Sequence, residues 1–300
     1  MAVKIALIQM DTSLGDKKSN LEKGLKCIEE AKRKGANIVC FPELFTTGYE
    51  LTLQQYLALA ETIPGETTEK MREEGLTIIG GIIEKDERIK GLLYDSAFIV
   101  EDSRFLGKYR KTHLYPTEHQ FFRAGNDFPV FDSIFGRIGM AICFDHAFSE
   151  IFRIYALKGA EIVFIPSAVP KGYEHLLELR TRARAQDNQI FVAGVNRCGK
   201  EKDKEYCGRS LVVDPRGNTI VEAGEKEEIV YATVDLKEIE KERISEPVLR
   251  SRRSELYEHV RGENSLFKKK VDKLGDDYVM EIGKNRGIVH ENYDNIACFE

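Results

Sequence analysis

Tryptophan is absent from the 300-residue chain, proline is scarce at 8 residues, and cysteine numbers only 6. None of Cys27, Cys40, Cys143, Cys198, Cys207 and Cys298 stands in a C-x-x-C pair. That argues against a zinc cage or a disulfide framework and for reduced thiols. A large charge of one sign is missing too: 45 Lys plus Arg against 50 Asp plus Glu leave a formal −5. A strongly basic nucleic-acid surface is therefore not expected. No run approaches the roughly 18 apolar residues of a membrane-spanning helix. Met1 to Met10 enters an alternating pattern with no charged-then-apolar leader. The expectation is a cytoplasmic protein with no nucleic-acid or membrane partner. Several motifs are missing as well. Gly15-Asp16-Lys17-Lys18-Ser19 lacks the full phosphate-loop frame, and there is no G-x-G-x-x-G, no G-x-S-x-G, and no metal-ligand spacing around His113, His119 or His146. Nucleotide, serine-hydrolase and metal chemistry thus have no motif support.

What is present is a layered α/β pattern. Hydrophobic residues make up 42% of the chain, enough for a sizeable core. Strands are predicted at Lys4 to Gln9, Ile38 to Phe41, Leu76 to Ile83, Ser96 to Val100, Gly139 to Cys143, Ile162 to Ile165, Ile190 to Gly194, Ser210 to Val213 and Ile229 to Val234. Their number suits a two-sheet sandwich with helices outside. Ser19-Asn20-Leu21-Glu22 reads as a capping box for a helix with Leu21, Leu25, Ile28 and Ala31 on one face, stopped by Gly35. Pro42 ends the second strand abruptly, so Glu43 is expected at the carboxyl end of a buried strand, where α/β folds carry functional groups. Phe148, Ile151, Phe152, Tyr155 and Ala156 recur at helical spacing, which puts Cys143 at a strand-to-helix junction. From about residue 261 the pattern changes. Residues 1–260 are expected to form one domain, and 261–300 an extension packing on the body or on a neighbouring subunit.

Three segments suggest chemistry: Phe41-Pro42-Glu43-Leu44, Tyr109-Arg110-Lys111-Thr112-His113-Leu114 and Ile142-Cys143-Phe144-Asp145. Taken singly, a Glu after Pro is ordinarily a solvated turn residue, a Lys among basic residues a surface group, and a Cys ending a strand part of the core. In this order and spacing, however, they closely resemble the nitrilase superfamily of carbon-nitrogen hydrolases. The resemblance spans roughly residues 3 to 257. It includes Gly80-Gly81, Asp187-Asn188-Gln189, Asn196-Arg197, Gly208-Arg209-Ser210, Asp214-Pro215-Arg216-Gly217 and Arg252-Arg253-Ser254-Glu255-Leu256-Tyr257. It implies a four-layer α-β-β-α sandwich, no cofactor and no metal, and a homodimer or higher homo-oligomer. It further implies Cys143 as nucleophile, Glu43 as general base, Lys111 as electrostatic stabiliser and Glu118 as a second glutamate positioning substrate and base. A free thiol and a free carboxyl differ by about 4.2 pKa units, so proton transfer between unperturbed groups costs roughly 5.7 kcal/mol. Burial is expected to raise the pKa of Glu43. The Lys111 ammonium and the amino end of the following helix are expected to stabilise the Cys143 thiolate. Lys111 and the Phe144 backbone N–H are the expected oxyanion donors.

Relatives that hydrolyse nitriles proper usually carry Trp after the nucleophile, whereas this chain has Phe144. A small amide or N-carbamoyl substrate is therefore favoured. Ala147-Phe148-Ser149-Glu150 keeps the Phe and Glu of a segment common in amidase relatives but lacks its Arg and Pro. Arg180, Arg182 and Arg184 are alternatives for meeting an acidic substrate. Two other readings stay open on the same residues: an acyltransferase that passes the thioester to an amine, and a catalytically silent binding protein.

Overall fold

The computed structural model describes residues 2–261. The chain divides into two compact units, Met1–Ser251 and Arg252–Glu300. Within the second, the described part is a 3-10 helix over Ser254–Arg261, with the Arg252 guanidinium 5.1 Å from the Tyr257 ring centroid. The rest of the expected extension, residues 262 to 300, lies outside the described residues.

Two six-stranded mixed sheets form the first unit. In spatial order, one contains Glu228–Asp235 (β14), Ala2–Gln9 (β1), Ile38–Cys40 (β2), Thr77–Lys85 (β3), Leu93–Glu101 (β4) and Arg104–Arg110 (β5). The other contains Thr219–Glu222 (β13), Leu211–Val213 (β12), Phe191–Asn196 (β9), Ile162–Ser167 (β8), Gly136–Met140 (β7) and Val130–Ser133 (β6). Each has three parallel central strands, β1-β2-β3 and β7-β8-β9, bordered by antiparallel ones. A separate hairpin pairs Lys200–Glu201 (β10) with Lys204–Glu205 (β11).

Side-chain alternation builds the layers. Val3, Ile5 and Leu7 of β1 meet Ile162 and Phe164 of β8 in the core between the sheets. Ala6 and Ile8 face outward, against Leu21, Ile28 and Ala31 of the helix Lys17–Arg33 (α1). Two short helices follow, Leu53–Leu59 (α2) and Glu66–Arg72 (α3), and Met71 of α3 joins the same outer cluster. Val163 and Ile165 pack outward on the helices Ser149–Leu157 (α4) and Glu174–Asn188 (α5) through Phe152, Tyr155, Leu177 and Ala185. The arrangement is the expected four-layer α-β-β-α sandwich. Cys40 lies in the core between the sheets. Among the described residues, no helix is long and apolar enough to cross a membrane.

Two local expectations are corrected. The α1 cap is Asp16 rather than Ser19: the helix starts at Lys17, and the Ser19 N–H donates to the Asp16 carboxylate at 3.0 Å. Gly15, with φ +75°, turns the chain just before it. Asp caps as well as Ser, so the earlier residue takes the role. Strand β7 stops at Met140 instead of reaching Cys143, which opens a 3-10 turn over Cys143–Ala147 before α4 begins. The amino end of α4 is thus not the group beside the sulfur.

Candidate active site

Glu43 follows β2 on a segment that keeps pairing with β3 beyond the proline. The Gly81 N–H donates to the Pro42 carbonyl at 3.2 Å, and the Phe45 N–H donates to the Gly81 carbonyl at 3.0 Å. The approach is so close that a Cβ on Gly81 would stand 2.8 Å from the Glu43 Cα. Leu44 takes a left-handed conformation, φ +48°, directly after the buried Glu43. Across the same sheet, the Lys111 N–H donates to the Asp95 carbonyl at 2.9 Å just past the end of β5. Period-2 alternation puts Asp95 on the inner face with Ala97 and Ile99, and Lys111 there with Tyr109.

Three carboxylates meet the Lys111 ammonium. Its Nζ donates to Glu43 Oε1 and Glu118 Oε1, each at 2.6 Å, and lies 3.4 Å from Asp95 Oδ2. Oxygens of the three acids lie within 4.8 Å of one another, so the cation they enclose is the lysine. Burial alone would lower the pKa of Lys111. Glu43, Glu118 and Asp95 outweigh it and hold the ammonium well above the usual lysine range. Glu118 closes the 3-10 turn Pro116–Glu118, accepting the Tyr115 N–H at 2.7 Å and the Tyr49 hydroxyl. Tyr49 is held in turn: the Glu201 carboxylate accepts the N–H groups of Tyr49 and Glu50, each at 3.0 Å, and pairs with Arg197.

The nucleophile candidate comes from the second sheet. Cys143 is half-buried at the start of its turn with φ +42°. Asp145 fixes that turn: its carboxylate accepts the Ile142 N–H at 2.9 Å, the Tyr109 hydroxyl at 2.7 Å, the Thr112 hydroxyl at 3.0 Å and the His113 N–H at 2.9 Å. The Cys143 turn is thereby registered against the segment that carries Lys111. Burial and the Glu43 carboxylate push the Cys143 thiol well above the ordinary thiol range, while Lys111 and the Ala168 N–H oppose them. Against the expected stabilised thiolate, the net direction is upward, because Lys111 is already hydrogen-bonded to two carboxylates. The Phe144 ring packs edge-on against Tyr115 and Phe148, with centroids 5.2 and 5.4 Å apart. Near the start of a 3-10 turn, its N–H is among those without an intrahelical acceptor.

The arginines of α5 have other work. Arg184 donates to the carbonyls of His146 and Ala147 at 3.1 and 3.2 Å, Arg180 to His146 Nε2 at 3.0 Å, and Arg182 to the Gly217 carbonyl at 2.9 Å. His146 is buried, and burial together with Arg180 and Arg184 pushes its pKa down to about 3. His113 is held by Asp145, and His119 is exposed. The structure thus brings Glu43, Lys111 and Glu118 into direct contact and sets Cys143 within their electrostatic reach. Sequence reasoning missed Asp95, Tyr49 and Asp145. An acid inside the otherwise apolar run Leu92-Leu93-Tyr94-Asp95-Ser96-Ala97-Phe98 is the signal that could have found the first.

Comparison with known proteins shows the family and the fold. The family model described as Carbon-nitrogen hydrolase matches residues 4–243. The chain is 36% identical over 265 residues to a nitrilase of Pyrococcus abyssi, covering 85% of this chain and 99% of that protein. It is 35% identical over 271 residues to omega-amidase NIT2 of Mus musculus, covering 85% and 96%. Among solved structures, Saccharomyces cerevisiae Nit3, a member of branch 10 of the nitrilase superfamily, superposes with a TM-score of 0.78 at 30% identity over 84% of this chain and 97% of that one.

Proposed function

The chain belongs to the carbon-nitrogen hydrolase family of the nitrilase superfamily, and from that premise we propose that it hydrolyses a small linear amide or N-carbamoyl compound through a thioester on Cys143. ω-Amides come first among the substrates to try, a choice supported by the 35% identity to an omega-amidase. The observation that carries the reading is the buried Lys111 ammonium, hydrogen-bonded at 2.6 Å to both Glu43 and Glu118, beside a half-buried thiol.

A thiol that holds its proton at rest must lose it as it attacks. Cys143 Sγ bonds to the amide carbon while its proton passes to Glu43, and the carbonyl oxygen takes the negative charge. Lys111 and the Phe144 N–H receive that oxyanion, a contribution of roughly 3 to 4 kcal/mol per donor. The carbon-nitrogen bond then breaks as Glu43 returns the proton to the departing nitrogen, leaving a thioester. Water gives a proton to Glu43 as it attacks the thioester, the carbon-sulfur bond breaks, and the thiol recovers its proton with release of the acid. Glu118, held by Tyr49 and Tyr115, keeps Lys111 in place throughout.

An ammonia-release screen over ω-amides, other linear amides and N-carbamoyl compounds tests the substrate class. Mass spectrometry of the Cys143 peptide during turnover tests the intermediate. Release from at least one class, an acyl adduct on Cys143, and loss of both in Cys143→Ala are expected. Full activity in Cys143→Ala, or silence across all three classes, overturns the reading.

A further inference from the structure

The charges inside the site do not balance. Glu43, Asp95 and Glu118, with oxygens within 4.8 Å of one another, would together carry −3 against the +1 of Lys111. Glu43, Asp95 and Lys111 are fully inaccessible to water, where uncompensated charge is costly and a buried acid ordinarily takes up a proton instead.

Hydrogen bonding shows which acid does so. Glu118 accepts from Lys111, from the Tyr49 hydroxyl and from the Tyr115 N–H, the environment of an ionised carboxylate. Glu43 accepts Lys111 on Oε1, while its Oε2 has no donor among the described residues. Among the described residues Asp95 has no donor on either oxygen, Lys111 standing 3.4 Å from Oδ2 without a hydrogen bond. A hydroxyl on Asp95 directed at Glu43 Oε2 satisfies an orphaned acceptor and places the missing proton in one step. Such acid-to-carboxylate hydrogen bonds are short and strong.

From this arrangement we infer that Asp95 is a positioning residue: it stays a neutral carboxylic acid and donates its proton to Oε2 of Glu43, fixing that carboxylate against Lys111. The inference rests on Glu43 being the base of the proposed reaction. Besides Glu43, Lys111 and Glu118, the titratable groups that interact with Asp95 include the Tyr56 hydroxyl, which is bonded instead to the Tyr49 carbonyl. Burial and the Glu43 carboxylate hold the Asp95 carboxyl well above the usual range, with Lys111 opposing. A neutral Asp95 also spares Cys143 a further negative neighbour, so its proton has less far to climb when it leaves.

The experiment needs no substrate. An infrared difference spectrum of the wild-type protein against Asp95→Asn at neutral pH is expected to show the carbonyl band of a protonated carboxylic acid in the wild type alone. Alkylation by iodoacetamide, followed on the Cys143 peptide across pH, supplies the functional arm. Asp95→Val removes the donor to a charged acceptor, and alkylation slows by about tenfold or more. Asp95→Asn keeps a neutral donor and restores most of that rate with the wild-type pH profile. An ionised Asp95 would behave otherwise: its replacement by Asn would remove a negative charge and move the alkylation curve about one unit or more to lower pH. That shift, absence of the band, or a wild-type rate in Asp95→Val overturns the inference. If Asp95→Val does not fold, the spectrum and Asp95→Asn still decide. Failure of the proposed reaction leaves the infrared band in place, so the two failures are distinguishable.

Discussion

At the scale of single residues, Asp145 carries the most weight outside the reacting groups. Its carboxylate receives the Ile142 N–H from the Cys143 turn and three donors, from Tyr109, Thr112 and His113, on the segment that ends β5. It has no solvent exposure, so water cannot replace it. Asp145→Ala would strand those donors in the interior, each buried unsatisfied group costing about 1 to 3 kcal/mol before relaxation. We expect a loss of about 3 kcal/mol or more in urea unfolding, together with slower alkylation of Cys143, because the left-handed Cys143 turn loses its anchor. Asp145→Asn keeps one acceptor oxygen and should recover part of both. A loss below about 1 kcal/mol for Asp145→Ala would mean that the turn holds itself without the carboxylate.

At the scale of elements, the close run of β3 beside the Glu43 segment is what presents Glu43, the proposed base. The Gly81 position has no room for a side chain: a Cβ would meet Glu43 Cα at 2.8 Å, and Leu44 N and the Pro42 carbonyl oxygen at 3.0 Å. All three are backbone atoms, so relief requires moving the chain that carries Glu43. Gly81→Ala is expected to cost about 1 to 3 kcal/mol in stability and to lower turnover by about a hundredfold through misplacement of the base. Thermal unfolding and ammonia release, measured together, check it. Retained turnover with lowered stability would show that the strand absorbs the methyl group without displacing Glu43. Such spacing explains what could and could not be read beforehand. The apolar runs of β1, β3, β8 and β9 were legible because burial on both faces writes itself into hydrophobic composition. Strand β5, with the sequence Arg-Phe-Leu-Gly-Lys-Tyr-Arg, was not: it lies at the sheet edge, where Lys108 and Arg110 reach back to Glu84, and only the tertiary partner makes it a strand. Asp95 stayed hidden for the same reason, since its meaning comes from Lys111 just past the end of the neighbouring strand.

Across the whole molecule, the helices of one outer layer and the site at the sheet ends are joined by buried polar contacts, and these make global stability sensitive to pH. His146 is the clearest case: it belongs to the Cys143–Ala147 turn, accepts from Arg180, and has its backbone carbonyl bonded to Arg184, both arginines coming from α5. Its pKa is lowered to about 3 in the folded chain, whereas an unfolded histidine titrates near 6.5. Above about pH 7.5 the group is almost wholly neutral in both states and contributes little to the pH dependence. On acidification the unfolded chain binds a proton that the folded chain refuses, so stability falls, by up to about 1.4 kcal/mol per pH unit, until the folded pKa is reached. Between about pH 7.5 and pH 5 this one residue accounts for about 2 kcal/mol of lost stability. His146→Gln removes the titration while keeping a polar side chain for Arg180. Chemical unfolding at the two pH values should show the wild-type difference exceeding that of the variant by about this amount. Equal differences would mean that the folded interior accepts the proton after all, and that Arg180 and Arg184 can move aside from the imidazole without unfolding the layer they belong to.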